Sequence, residues 1–175
     1  MMALPLRDLA PQEILLPVKP AFIIGTLLAA FLVNLLPWSG YALWLRPDFV
    51  ALVLLYWCIE QPRRVGFLAA WLLGLLMDVA DGVLFGQHAL AYSILAYAGI
   101  VLHRRVRMFP LSLQVLHVIP LLLLNDLIVL VLRLGAGGDF PGMKYFLGAA
   151  IGGVLWAPVS VLLKLPQHPT RESDV

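Results

Sequence analysis

The chain of 175 residues is 62% hydrophobic and only 13% charged, with a mean hydropathy of +0.93, well beyond the roughly 45 to 50% apolar share of soluble domains. That composition excludes an ordinary soluble enzyme and predicts a protein that crosses a membrane several times. The net charge of +2 without a long basic face excludes a nucleic-acid partner, and a single cysteine, Cys58, excludes a disulfide framework or a cysteine metal site within one copy.

Residues 1–20 read as an N-terminal cytoplasmic segment. Prolines at 5, 11 and 17 interrupt any long helix there, while Ile14, Leu15 and Leu16 are apolar enough to rest at the bilayer surface. Ala21 to Pro37 is the first predicted span. No small-residue cleavage site follows a short apolar core, so it is read as retained and not as a signal peptide. The second candidate is awkward, because Asp48 and Glu60 bracket only eleven apolar residues. These cover roughly 17 Å of helix against a hydrocarbon core of about 30 Å. The remaining spans are expected at Val65 to Ala80, Gln87 to His103, Leu111 to Leu134 and Lys144 to Leu165.

Cytoplasmic loops carry the excess of Lys and Arg, which tests the span count. With six spans and the N-terminus inside, the inner segments hold Arg7, Lys19, Arg63, Arg64, Arg104, Arg105, Arg107, Lys164 and Arg171, and the outer ones hold Arg46, Arg133 and Lys144, nine against three. If the second segment only re-enters, the better five-span orientation gives eight against four. The expectation is therefore an all-α membrane protein with six transmembrane helices in one bundle over residues 21–165. Both termini are cytoplasmic, a tail covers residues 166–175, and Arg104, Arg105 and Arg107 form a basic cytoplasmic loop. That loop serves as a topology determinant or touches a partner or anionic lipid.

Small residues mark two close-packing faces. Gly66, Ala70, Gly74 and Asp78 fall four apart and form one narrow stripe ending in an acid, followed by Gly82 and Gly86, where the helix end unwinds. Gly148 and Gly152 make a GxxxG pair in the last span. Either set packs helices within the chain or against another molecule. Pro120 is expected to kink the fifth span.

On this topology the polar residues Asn34, Asp48, Asp78, Asp81, Gln87, His88, Asn125 and Asp126 all lie in the outer half or at the outer surface. A carboxylate near the bilayer centre costs on the order of 2.5 to 3.5 kcal/mol on insertion scales, so such acids face the bundle interior, water or a partner. Asp126 is the deepest. Asp78 has a structural alternative, hydrogen bonding to a neighbouring helix end, and Gln87-His88 has one as a cap of the fourth span. His117 shares a face with Leu121 and Asn125 and is expected inside the bundle. No constellation for a membrane serine protease, a paired-aspartate protease or a phosphoalcohol transferase is present. No metal-ligand spacing is diagnostic, so neither catalysis nor a cofactor is expected.

Six strings carry a resemblance: ILLPVKP at Ile14 to Pro20, RPDFVALVLLYW at Arg46 to Trp57, PRRVG at Pro62 to Gly66, GLLMDV at Gly74 to Val79, GQHAL at Gly86 to Leu90 and HRRVRMFPLSLQ at His103 to Gln114. In order, spacing and total length the chain resembles the bacterial rod shape-determining protein MreD family. Asp81 departs from that pattern, which has an apolar or aromatic residue there. The resemblance implies an inner-membrane protein of the cell-elongation machinery. It is expected to work with the bitopic protein MreC and, through it, with MreB filaments, the glycosyltransferase RodA and a class B penicillin-binding transpeptidase. It also implies a bundle similar to the S components of energy-coupling-factor transporters. Two functions follow as expectations: a non-enzymatic scaffold docking the MreC membrane helix on the small-residue faces, or a subunit admitting a small or lipid-linked ligand through the outer polar cluster. Homo-oligomerisation stays open.

Overall fold

The computed structural model describes residues 18–40, 45–83 and 86–167. The segment expected at the bilayer surface before residue 18 and the expected tail after residue 167 lie outside these. Regular structure among the described residues is helical: α1 (Pro20–Asn34), α2 (Phe49–Glu60), α3 (Phe67–Asp81), α4 (Gln87–Arg107), α5 (Leu111–Gly135) and α6 (Leu147–Lys164). Short 3-10 turns, Met143–Phe146 and Leu165–Gln167, flank α6.

The helices alternate in direction, as their end contacts show. Asn34, the last residue of α1, bonds to Asp48 and Phe49 at the start of α2. Asp78, near the end of α3, bonds to the start of α4. Glu60, the last residue of α2, faces Arg107 and Lys164, the last residues of α4 and α6, at 3.7 and 3.3 Å. One end of the bundle therefore gathers Asn34, Asp48, Asp78 and His88, and the other gathers Glu60, Arg107 and Lys164. We call them the aspartate end and the arginine end.

The short, awkward segment turns out to be the hub. α2 packs on α1, α4, α5 and α6, and every residue from Val50 to Ile59 is at most 7% exposed. A helix apolar all round must be covered all round, and this one is. Its length of about 18 Å falls short of a lipid-facing span, but it faces no lipid, and its terminal charges are met by protein. Asp48 caps its first turn, and Glu60 is paired at its last. Two indole N–H groups in this core also find acceptors: Trp57 Nε1 donates to Thr26 Oγ1 and Trp156 Nε1 to Gln114 Oε1, both at 2.9 Å.

Two expectations need correction. Arg104, Arg105 and Arg107 do not form a loop, because α4 continues through Arg107. No residue before Pro110 breaks the helix, and cations in a last turn are favoured by the exposed carbonyls there. His117 does not sit in a polar thread with Asn125. Its ring is partly exposed and stacks on Phe109 at a centroid distance of 4.8 Å. Pro120 lies inside α5, which is continuous across it.

All helices except α2 carry large exposed apolar side chains. Ile24, Leu28 and Leu32 line one face of α1; Phe67, Leu68, Trp71, Leu72, Leu76 and Val79 stand out from α3; Val131 on α5 and Val154, Val161 and Leu162 on α6 do likewise. A surface this apolar is far beyond what a water-soluble monomer leaves open. The α5 helix and the Met143–Gln167 stretch are each long and apolar enough to cross a membrane.

Candidate functional site

The aspartate end is built from helix termini, whose orphan backbone groups recruit the polar side chains. Asp48 precedes the first residue of α2 with an extended backbone. Its Oδ1 accepts from Ala51 N at 3.0 Å and from Asn34 Nδ2 at 2.9 Å, and its Oδ2 accepts from the Tyr92 hydroxyl at 2.7 Å. Asn34 Oδ1 in turn accepts from Phe49 N at 3.1 Å. One carboxylate and one amide thus tie α1, α2 and α4 together.

Asp78, whose side chain is fully buried, does the same for α3 and α4. Its Oδ2 accepts from Gly86 N at 2.8 Å, and its Oδ1 accepts from His88 N at 2.7 Å and lies 3.0 Å from His88 Nδ1. The chain reaches this arrangement through two glycines with positive φ, Gly82 at +61° and Gly86 at +100°, conformations that side-chain-bearing residues rarely adopt. Asp78 is therefore a helix-end acceptor. His88 spans both acids, its Nε2 lying 3.9 Å from Asp81 Oδ2.

Between these termini opens a cavity of about 400 Å³. The structure brings Asn34, Asp48, Asp81, His88, Asn125 and Asp126 to its wall, while Gln87 is buried away from it and Asp78 stands behind it. Sequence reasoning missed Arg46, Arg133 and Tyr145, which also line it. Arg133 was legible: it follows Asp126 by seven residues, two turns along the same face of α5. Arg46 and Tyr145 come from connecting segments whose placement only the fold decides. Asn125 is 2% exposed, and its Oδ1 has no hydrogen-bond partner. Among the described residues no group of three His, Cys, Asp or Glu side chains converges closely enough to hold a metal ion.

The small-residue faces are filled from within the chain. Ala70 is fully buried, and a Cβ on Gly74 would lie 2.3 Å from Ala89 Cα in α4. A Cβ on Gly148 would lie 2.7 Å from Arg46 O, and one on Gly152 would lie 2.9 Å from Leu122 Cδ1. Gly66 caps the start of α3 with open space beside it. These contacts close the bundle and leave no room for a partner's helix at Gly74, Gly148 or Gly152. Arg104 and Arg105 are exposed in the last turn of α4. A second, shallower depression of about 430 Å³ runs outside α3 and α4, with Phe67, Leu68, Trp71 and Leu90 along it and Ala89 and Ser93 beneath.

Residues 18–165 match the family model of the rod shape-determining protein MreD. The rod shape-determining protein MreD of Haemophilus influenzae (strain ATCC 51907 / DSM 11121 / KW20 / Rd) is 30% identical over 142 residues, covering 81% of this chain and 88% of that protein. No solved structure matches the chain. With a match along nearly the whole helical bundle and a relative of similar length, the chain belongs to the MreD family of rod shape-determining membrane proteins.

Proposed function

We propose that this protein is a non-enzymatic, multi-pass scaffold of the bacterial inner membrane that binds the membrane helix of MreC. Through MreC it supports the work of MreB, RodA and the class B transpeptidase in lateral peptidoglycan synthesis. The family assignment supports a role in rod shape, and the alternating six-helix order supports a bundle of the S-component kind with both termini cytoplasmic. The excess of Arg at the arginine end supports placing that end inside the cell.

The observation that carries the docking reading is the depression on α3 and α4. Its walls are apolar and aromatic, and small residues at its base permit close approach of a helix. Ser93 there is 1% exposed, with a hydroxyl that has no partner in the chain. A helix seated in the depression would supply that partner from its own backbone or a polar side chain. MreC should co-purify with this protein from detergent-solubilised membranes, and the double substitution Trp71→Ala with Leu90→Ala should cut its recovery at least fivefold without lowering the amount of protein inserted. Undiminished recovery removes this face as the docking surface, and no recovery with the unaltered chain removes the partner.

A further inference from the structure

The cavity at the aspartate end holds charges that the architecture does not use. Asp48 and Asp78 are consumed as helix caps, with each oxygen bonded. Asp126 and the two arginines Arg46 and Arg133 all line the cavity, and none has an ion-pair partner within 4 Å among the described residues. Beside Asp126, the Asn125 carbonyl oxygen is buried without a donor. A buried acceptor left unpaired costs about 1 to 3 kcal/mol, so this amide marks a place where something absent from the chain alone completes the bonding.

The chemistry of that missing group follows from the arrangement. The inner wall presents an unpartnered amide oxygen and a carboxylate and therefore calls for a multiple hydrogen-bond donor with positive charge. The scarcity of converging ligands disfavours a bare metal ion there and leaves a primary ammonium as the fitting donor, with three N–H groups to distribute. Seven residues further along α5, about 10 Å of helix, stands Arg133, and Arg46 approaches from the segment before α2. Two free guanidinium groups form a receptor for phosphate oxygens.

We infer that the cavity binds an ammonium-phosphate zwitterion, its ammonium on Asn125 and Asp126 and its phosphate on Arg46 and Arg133. The volume of about 400 Å³ falls within the usual range of ligand pockets, about 300 to 1,000 Å³. Two sources carry this chemistry: a soluble aminoalkyl phosphate and the headgroup of an ethanolamine phospholipid.

The test uses the full chain in nanodiscs of phosphatidylglycerol, with O-phosphoethanolamine as probe and calorimetry as readout. A second arm adds phosphatidylethanolamine to the nanodisc and detects retained lipid by native mass spectrometry after transfer to detergent. Binding in the first arm identifies a soluble ligand, and retention in the second alone identifies the lipid. In either case Asp126→Asn and Arg133→Gln should each weaken binding at least tenfold. Ethanolamine and inorganic phosphate separately should each bind at least tenfold more weakly than the zwitterion. Arg133 is exposed, so its substitution leaves the fold intact even if the Asp126 variant does not assemble. Absence of both binding and retention overturns the inference, as does binding that Arg133→Gln leaves unchanged or that ethanolamine alone reproduces.

Discussion

Three acids of the aspartate end show how little residue type says without partners. Asp78, Asp81 and Asp126 all read as membrane carboxylates, yet Asp78 is fully buried against backbone N–H groups, while Asp81, 35% exposed beside His88, and Asp126 both line the cavity. Replacing Asp78 with Asn removes one acceptor oxygen and sets an amide N–H against backbone donors at 2.7 to 2.8 Å. That change should cost about 1 to 3 kcal/mol, whereas Asp81→Asn, whose nearest partner is His88 at 3.9 Å, should stay within about 0.5 kcal/mol. Thermal unfolding of both variants in one detergent checks the contrast. Equal midpoints would mean that the caps at Asp78 do not hold α3 to α4. The helix-end role of Asp78 was among the alternatives readable in sequence, because an acid near a glycine-rich turn suits a helix N-terminus. The hydrogen bond from Tyr92 to Asp48 was not, since 44 residues separate them.

At the scale of the helices, glycine decides how closely the bundle closes. Gly74 sets the backbone of α3 against that of α4, where even a methyl group would sit 2.3 Å from Ala89 Cα. Backbone cannot yield as a side-chain tip does, so Gly74→Ala should cost at least about 1 to 3 kcal/mol through forced separation of the two helices. Gly25, in α1, has nothing within 4 Å of an added Cβ, and Gly25→Ala should leave stability unchanged or raise it by up to about 1 kcal/mol through helix propensity. Unfolding midpoints that fall equally for both would show that the Gly74 contact is not special. The four-residue spacing of small residues was legible as a packing face. Which neighbour it packs against was not, because a stripe of small residues suits an internal helix and a foreign one equally.

For the whole molecule, the two ends differ in charge, and the side of the membrane on which each lies can be read directly. Arg105 is exposed at the arginine end and Asp139 is exposed beyond α5, while the single native thiol, Cys58, is fully buried in α2 and so stays silent to reagents. An impermeant maleimide applied to intact cells should label an Asp139→Cys variant and spare an Arg105→Cys variant, and the opposite pattern would invert the orientation. Composition alone determined that this is an apolar, helical chain, because no soluble fold could cover so many large hydrophobic side chains. Breaker residues and charges located all six helices to within a few residues. The second helix is where local reasoning stops: its eleven apolar residues look too short to span lipid, and only tertiary structure shows that they are wrapped by four other helices and capped at both ends by charges with protein partners. The cavity has the same origin. Its residues come from α1, α3, α4, α5, α6 and two connecting segments, and chain-distant side chains acquire common chemistry only when packing brings them together.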